Sequence, residues 1–282
     1  MSPSTEAPHT LRAAVRRYPL VSFFVFTFLY SWGVRVPAIF VPQWPAALSF
    51  TAMFGPAFAA ALVLLLSSEQ KQAARLFRSL FQWRAAPQWY AAALLLPAAL
   101  IAAPLLINRV VWPTTSQASS APALLPVAGL VLVNFAYLIL LVWGEEIGWR
   151  GFALPRLQAK MSPLAASALL GVIWGVWHLP SFWIPGSTQA FIPIPVYLLY
   201  ILGHTFLYSW IYNGTRGSLL LVCLHHAATN AFTVALAAFP AFAALIARPA
   251  TLLLGVALAV GAVILFTRAT LLAERTQGTR QI

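Results

Sequence analysis

Aspartate is absent from this 282-residue chain, and its acids are five glutamates, Glu6, Glu69, Glu145, Glu146 and Glu274. Charged residues of either sign make up 8% of the chain, against the roughly 25% that a water-facing surface uses. That scarcity excludes an array of soluble modules. One cysteine, Cys223, excludes an intramolecular disulfide, and its place in an apolar run reads as a small core residue. Alternation of apolar and polar residues is also missing from runs such as 94–106, which excludes the strands of a membrane β-barrel. What remains is 61% hydrophobic residues, with several stretches near the roughly 20 residues that a helix needs to cross a bilayer. In lipid every backbone amide must be paired within the protein, which favours helices.

The expected fold is therefore all-α, a polytopic membrane protein of about eight transmembrane helices. They are placed at 18–38, 46–67, 88–108, 123–147, 163–184, 195–213, 218–238 and 249–268. Residues 1–17 and 269–282 read as cytoplasmic tails around one helical membrane domain, 18–268. Gly55 and Pro56 interrupt the second span and predict a kink there. No cleavable signal peptide is expected, because the first apolar run is long and follows a basic segment.

The net charge of +12 would suit a nucleic-acid binder if it formed a patch, but the basic residues are scattered through short connectors. Membrane orientation and anionic lipid account for them, and no nucleic-acid partner is implied. With the N-terminus inside, the inner segments hold Arg12, Arg16, Arg17, Lys71, Arg75, Arg78, Arg84, Arg150, Arg156, Lys160, Arg216, Arg268, Arg275 and Arg280. The outer loops hold only Arg109 and Arg248, and Arg35 lies inside the first span. Both termini are therefore expected in the cytoplasm. The absence of a long soluble domain fits a bacterial plasma membrane. The segment from Glu69 to Arg84, with Leu76, Phe77, Leu80, Phe81 and Trp83 beside its charges, reads as an interfacial helix.

Ionisable groups inside a bilayer cost several kcal/mol on the insertion scale, so each asks for a role. The fourth span ends in Gly144-Glu145-Glu146-Ile147-Gly148-Trp149-Arg150. Glu146 and Arg150 stand i and i+4 on a helix and can pair. Glu145 is turned about 100° away from them. One acid is thus neutralised by a cation, while the other faces elsewhere, the setting of a general base. The fifth span places Trp174 and His178 on one face, where the indole can pack on the imidazole. The seventh places His226 and Asn230 on one face. His225 has only Thr229 at the same offset, so the spacing selects His226 from the doublet. His204 and Asn134 read as structural polar intrusions. A carboxylate, two imidazoles and an amide on three spans are the groups that water activation and oxyanion stabilisation require.

The series Glu145-Glu146-x-x-x-Arg150, Trp174-x-x-x-His178, His226-x-x-x-Asn230 resembles the CAAX-protease and bacteriocin-processing family of intramembrane endopeptidases, which includes the Ras-converting prenyl-protein endopeptidase. The core carrying it lies at about 123–238. One departure is Trp174, where Phe is the commoner residue. The resemblance implies that Glu145 is the general base and that His178 holds the water with it. It further implies that His226 and Asn230 donate to the oxyanion, with Glu146, Arg150 and Trp174 in support. The implied substrate is a peptide or protein, prenylated at its C-terminus by family analogy, beside membrane lipid. Glu145, His178 and His226 could also bind zinc with an open fourth position, though without the compact His-Glu-x-x-His pattern of soluble zinc proteases. Direct activation of water by glutamate and histidine, with no required cofactor, is the preferred expectation. Two other classes would use the same polar groups: a non-proteolytic scaffold or bacteriocin-immunity-like factor, and a proton- or ion-coupled transporter. The lack of paired half-chains with matching broken helices counts against transport.

These boundaries raise one difficulty. Glu145 falls near the cytoplasmic end of its span, whereas His226 lies about 12 Å and His178 about 23 Å in from that side at 1.5 Å per residue. Either the fourth span starts further along, which puts Glu145 deeper, or the fifth starts late or is re-entrant, and Pro180 just after His178 allows a short, tilted helix there.

Overall fold

The computed structural model describes residues 10–111, 124–237, 253–258 and 260–261. Glu6, Glu274, the connector 113–122, most of the eighth span and the C-terminal tail lie outside the described residues. Thirteen α-helices, α1 to α13, are described, with shorter 3-10 and π-helical turns between some of them, and no strand occurs among the described residues. The chain is a polytopic, all-α integral membrane protein. Among the described residues, five helices or helical stretches are long and apolar enough to cross a bilayer, and a sixth, Leu219–Ala235, is apolar but shorter.

α1 (Leu11–Arg17) is capped by the Thr10 hydroxyl, which accepts from the Ala13 amide. α2 (Pro19–Arg35) is the first span and runs on into α3 (Pro37–Phe40). The second span does break where Gly55-Pro56 predicts it: α4 (Ala46–Thr51) passes through a 3-10 turn, Ala52–Phe54, into α5 (Gly55–Ser67). α6 (Gln70–Ser79) follows, and Phe77, Phe81 and Trp83 in and after it are exposed, as an interfacial segment requires.

The third span departs from expectation. It is divided into α7 (Pro87–Leu94) and α8 (Leu96–Val111). Pro97 has no N–H to donate back along the helix, so the ladder opens at this point. His225 reaches the break and donates from Nδ1 to the Ala92 carbonyl at 3.1 Å.

The fourth span departs further, and this removes the difficulty of depth. α9 (Leu124–Glu146) does not end in water. It continues through π-helical turns, Ile147–Ala153, into α10 (Leu154–Gln158). The apolar stretch is Pro126–Gln158, 33 residues long, so Glu145 and Glu146 stand inside it and not at its end. Arg150, read from sequence as part of a cytoplasmic connector, is wholly buried. Arg156 is tied to Glu69 by a 2.5 Å ion pair. A π-helical segment inside an α-helix is rare and often marks a functional site.

α11 (Pro163–Trp177) is capped by Ser162 and stops at His178, where the chain tightens into a 3-10 turn, Leu179–Trp183. Pro180 enforces that stop, lacking the donor to extend an α-helix. A second 3-10 turn, Thr188–Phe191, leads to α12 (Ile194–Gly214), and α13 (Leu219–Ala237) completes the described core. Gly217, at φ +89°, supplies the left-handed turn between α12 and α13. α13 packs chiefly on α9, α11 on α12, and α2 on α5. The short described piece of the eighth span, 253–258, lays Val256 against Gly203 of α12.

Lipid is as apolar as a leucine side chain, so helix association in the bilayer depends on close van der Waals packing and hydrogen bonds. Gly144 and Gly148, one turn apart on either side of the two glutamates, show this most clearly. A Cβ at Gly144 would lie 2.8 Å from the Met53 carbonyl oxygen, and one at Gly148 would lie 2.3 Å from Pro56 Cβ. The absence of both side chains lets the second span press directly on the glutamate turn and seal it from lipid.

Candidate active site

Glu145 and Glu146 leave the same turn in different directions and meet different partners. The Glu146 carboxylate is completely buried. Its Oε1 accepts from Arg150 Nη1 at 3.0 Å, one turn along, and from His226 Nδ1 at 2.8 Å across the interface with α13. The Arg150 guanidinium lies over the rings of Trp174 and Tyr208, at 4.5 and 4.7 Å from their centroids. Its Nε and Nη2 have no hydrogen-bond acceptor, so the aromatic faces stand in for solvent around that charge.

Glu145 is also buried, but it faces α11. Its Oε2 accepts from Trp174 Nε1 at 2.9 Å. The expectation that Trp174 would pack on His178 holds, with ring centroids 5.4 Å apart. The hydrogen bond to Glu145 was not anticipated. A phenylalanine at this position could give the packing but not the donor. Trp174 also lies 5.6 Å from the His226 ring, so it contacts both histidines and the Glu145 carboxylate.

His178, at the end of α11, donates from Nδ1 to the Trp174 carbonyl at 2.8 Å. That bond fixes the tautomer and leaves Nε2 as a lone-pair acceptor. His226 differs, since its Nδ1 faces a carboxylate instead of a carbonyl. The depth at which it does so follows from α13, which starts beside Gly151: Leu219 Cδ1 lies 2.9 Å from the position of a Cβ there. About two turns further along, at 3.6 residues per turn, His226 arrives at Glu146. The seventh span thus starts inside the bundle, which brings His226 to the glutamates.

A single cavity of about 260 Å³ is lined by Glu145, His178, His226 and Asn230 together. Glu146 and Arg150 are not in its wall. Asn230 is half-buried and makes no hydrogen bond to another described residue, so its amide is available to the cavity. Of the polar intrusions read as structural, Asn134 donates to the Leu130 carbonyl of its own helix at 2.8 Å. His204 bonds Tyr200 in the same way but also lines the cavity. His225 points away, to Ala92. Arg35, Gln189, Tyr197 and Tyr208 line the cavity too and were given no role from sequence. For Arg35 the signal was present, because a cation inside a membrane span is a functional candidate by default.

Glu145, His178 and His226 supply zinc-compatible atoms, yet among the described residues no three His, Cys, Asp or Glu side chains gather closely enough to hold one ion. Both imidazoles commit Nδ1 to protein acceptors, which leaves one nitrogen each for the cavity.

The Trp174 bond gives a first prediction. Trp174→Phe keeps an aromatic ring against His178 but removes the donor to Glu145. In the hydrolytic reading of this cavity proposed below, loss of a charge-assisted hydrogen bond of this kind is expected to lower kcat about tenfold, with KM little changed. Steady-state kinetics of the purified variant check this, and an unaltered kcat would show that the bond does not position Glu145.

Comparison with known proteins adds a separate line of evidence. Residues 127–232 match a family model described as Type II CAAX prenyl endopeptidase Rce1-like. The chain is also similar to a protein named CAAX prenyl protease 2 from Methanococcus maripaludis, 32% identical over 99 residues. That alignment covers 33% of this chain and 36% of the archaeal protein, so the likeness spans about a third of each.

Proposed function

We propose that residues 127–232, which match the Rce1-like CAAX prenyl endopeptidase model, form a domain of the CAAX-protease and bacteriocin-processing family, and that this chain is an intramembrane endopeptidase whose reacting groups are Glu145, His178, His226 and Asn230. The observation that carries the proposal is the shared cavity. Four polar side chains from three separate spans meet in it, and the neutralised pair Glu146–Arg150 stays outside its wall.

In this reading a water molecule is held by the Glu145 carboxylate and the bare Nε2 of His178. Glu145 takes one proton from it as the oxygen adds to the scissile carbonyl carbon. The carbonyl oxygen becomes an oxyanion and accepts hydrogen bonds from Asn230 Nδ2 and His226 Nε2. Because His226 already donates Nδ1–H to Glu146, donation from Nε2 requires the ring to carry both protons. The buried Glu146 carboxylate faces that ring and Arg150 together, and the oxyanion, as it forms, supplies the second negative charge that balances the two cations. The C–N bond then breaks as Glu145 passes its proton to the leaving nitrogen. Peptide and water become a carboxylic acid and an amine, the acid's proton then passing to the amine to give carboxylate and ammonium, and the enzyme returns to its starting state. Preorganised donors in a site that excludes bulk water are effective because they need no reorganisation as charge develops.

Much of the cavity wall is apolar, including Leu100, Ile101, Leu138, Val196 and Val234. That surface suits a substrate already held in the membrane, such as a peptide with a prenylated cysteine near its C-terminus, entering laterally between helices. Both termini lie on the cytoplasmic side in this reading.

The test is direct. Purified protein in proteoliposomes, given an S-farnesylated C-terminal peptide, is expected to cut it once near the lipidated cysteine, as read by mass spectrometry of both fragments. Turnover is expected to persist in excess chelator, since water is activated by side chains. An intact peptide in the presence of folded protein would overturn the peptidase reading. Loss of activity on chelation, restored by a divalent ion, would overturn the metal-free mechanism alone.

A further inference from the structure

Arg35 is a cation at the end of the first span, outside the segment that matches the family model. Its side chain reaches the turn that carries His178. Nη1 donates to Ser181 Oγ at 3.0 Å, and the guanidinium lies 4.6 Å from the centroid of a Trp177 ring. The Ser181 amide in turn bonds the His178 carbonyl at 2.9 Å, so the guanidinium sits about one turn past the histidine. It faces the same cavity as Glu145.

Two features distinguish it from a structural tie. First, among the described residues no carboxylate lies within ion-pair distance of it, whereas the other deeply placed arginine, Arg150, has Glu146. An arginine carries five N–H donors in a planar fork, and one hydrogen bond accounts for one of them. Second, α2 is already fastened to this turn by a neighbour. Trp32, three residues earlier on the same face, donates from Nε1 to the Trp177 carbonyl at 3.1 Å. Holding α2 against the turn therefore does not require the charge. A cation kept in a membrane-spanning helix without a salt bridge, with Glu145 across the cavity acting on it only at longer range, is arranged to receive an anion from the substrate.

We propose that Arg35 is a specificity-determining residue that binds the free C-terminal carboxylate of the peptide, placing the cleaved bond a few residues upstream of the chain end. This rests on the peptidase reading of the cavity. A planar carboxylate matches the guanidinium fork in a two-point hydrogen bond. Of the anions within reach, the terminal carboxylate is the one that every unblocked peptide carries, whatever its side chains. The preference would be for chain ends over internal sites, and it would operate through binding.

The experiment uses the full-length protein in detergent micelles and two fluorescent S-farnesylcysteine tetrapeptides, identical except that one ends in a carboxylate and the other in a carboxamide. Affinity is measured on the Glu145→Gln background, so turnover is not needed. The acid is expected to bind about tenfold more tightly than the amide, as a charge-assisted two-point contact implies. Adding Arg35→Gln is expected to bring the ratio close to one, while Arg35→Lys keeps part of it because the charge remains without the fork. An Arg35-containing protein that binds both peptides alike overturns the proposal, and assigns the cation to a lipid headgroup or to the fold. A preference that survives in folded Arg35→Gln also overturns it. If Arg35→Gln does not fold, the ratio in the parent protein and in Arg35→Lys decides. Should the protein with Glu145 intact cleave neither peptide while the binding preference holds, the peptidase reading fails and the carboxylate site stands.

Discussion

Glu145→Gln is expected to leave a folded protein whose kcat is lower by about a thousandfold, within the range over which a positioned general base acts. The reasons lie in the contacts. The glutamine side chain has nearly the size and shape of glutamate, and its carbonyl oxygen still accepts from Trp174 Nε1, now at 2.9 Å from Glu145 Oε2. Packing against the second span is unaffected, since that contact is made by Gly144 and Gly148. What disappears is the capacity that the proposed mechanism assigns to Glu145, to take a proton from water and return it to the leaving nitrogen. Thermal unfolding of the detergent-solubilised variant should therefore coincide with wild type while peptide cleavage is lost. Retention of full activity would remove Glu145 from the chemistry and with it the proposed mechanism. The same variant also separates the peptidase from the scaffold and transport classes: a phenotype that outlasts Glu145→Gln would belong to a non-proteolytic role, and a proteoliposome ion flux that depends on Glu145 to a transporter.

Arg150→Met is expected to destabilise the fold by about 3–5 kcal/mol, the cost of leaving one member of a buried ion pair without its partner. Both side chains of the pair are fully buried. Removing the guanidinium leaves Glu146 with His226 alone for compensation, and it removes the charge stacked between Trp174 and Tyr208. Arg150→Lys should not rescue this well, because a compact ammonium cannot lie flat between two rings. The double variant Glu146→Gln/Arg150→Met should recover part of the loss, since it removes both charges together, and a cycle of the four proteins gives the coupling energy. Unfolding midpoints in one detergent are the measurement. An Arg150→Met midpoint equal to wild type would show that the pair contributes nothing to the fold. In activity, the Glu146 carboxylate and the Trp174 ring would lose the group that holds them in place, so cleavage should fall even where the protein remains folded.

The contrast between the two glutamates was legible before any coordinates. The i, i+4 spacing of Glu146 and Arg150 forces them onto one face of a helix, and the same geometry turns Glu145 away. Spacing likewise separated His226 from His225, because only His226 has Asn230 one turn ahead. The all-α membrane fold was legible too, since an 8% charged chain of long apolar runs has no other way to satisfy its backbone in lipid. Less legible were the places where local rules depend on neighbours. Pro97 splits the third span, and the carbonyl nearby is satisfied by His225, a residue 133 positions away in the chain. Arg150 and Arg156 were counted as connector charges, although one is sealed between aromatic rings and the other is paired with Glu69. Counting basic residues registers charge without burial, so it could not see either arrangement.

The sequence by itself determined the class of protein, the order of the polar pairs and the direction in which each side chain leaves its own helix. These are consequences of composition and of the 3.6-residue period. Only the tertiary structure decided depth. The fourth span extends past its charges because Glu146 and Arg150 neutralise each other and because Gly144 and Gly148 admit the second span. The seventh starts inside the bundle, beside Gly151, and the fifth stops at His178 before Pro180. Those three terminations bring Glu145, His178 and His226 into one cavity, and each depends on contacts between segments far apart in the chain. The same is true of Arg35, whose position in the first span was plain from sequence, but whose approach to the His178 turn arises from the packing of α2 across the site.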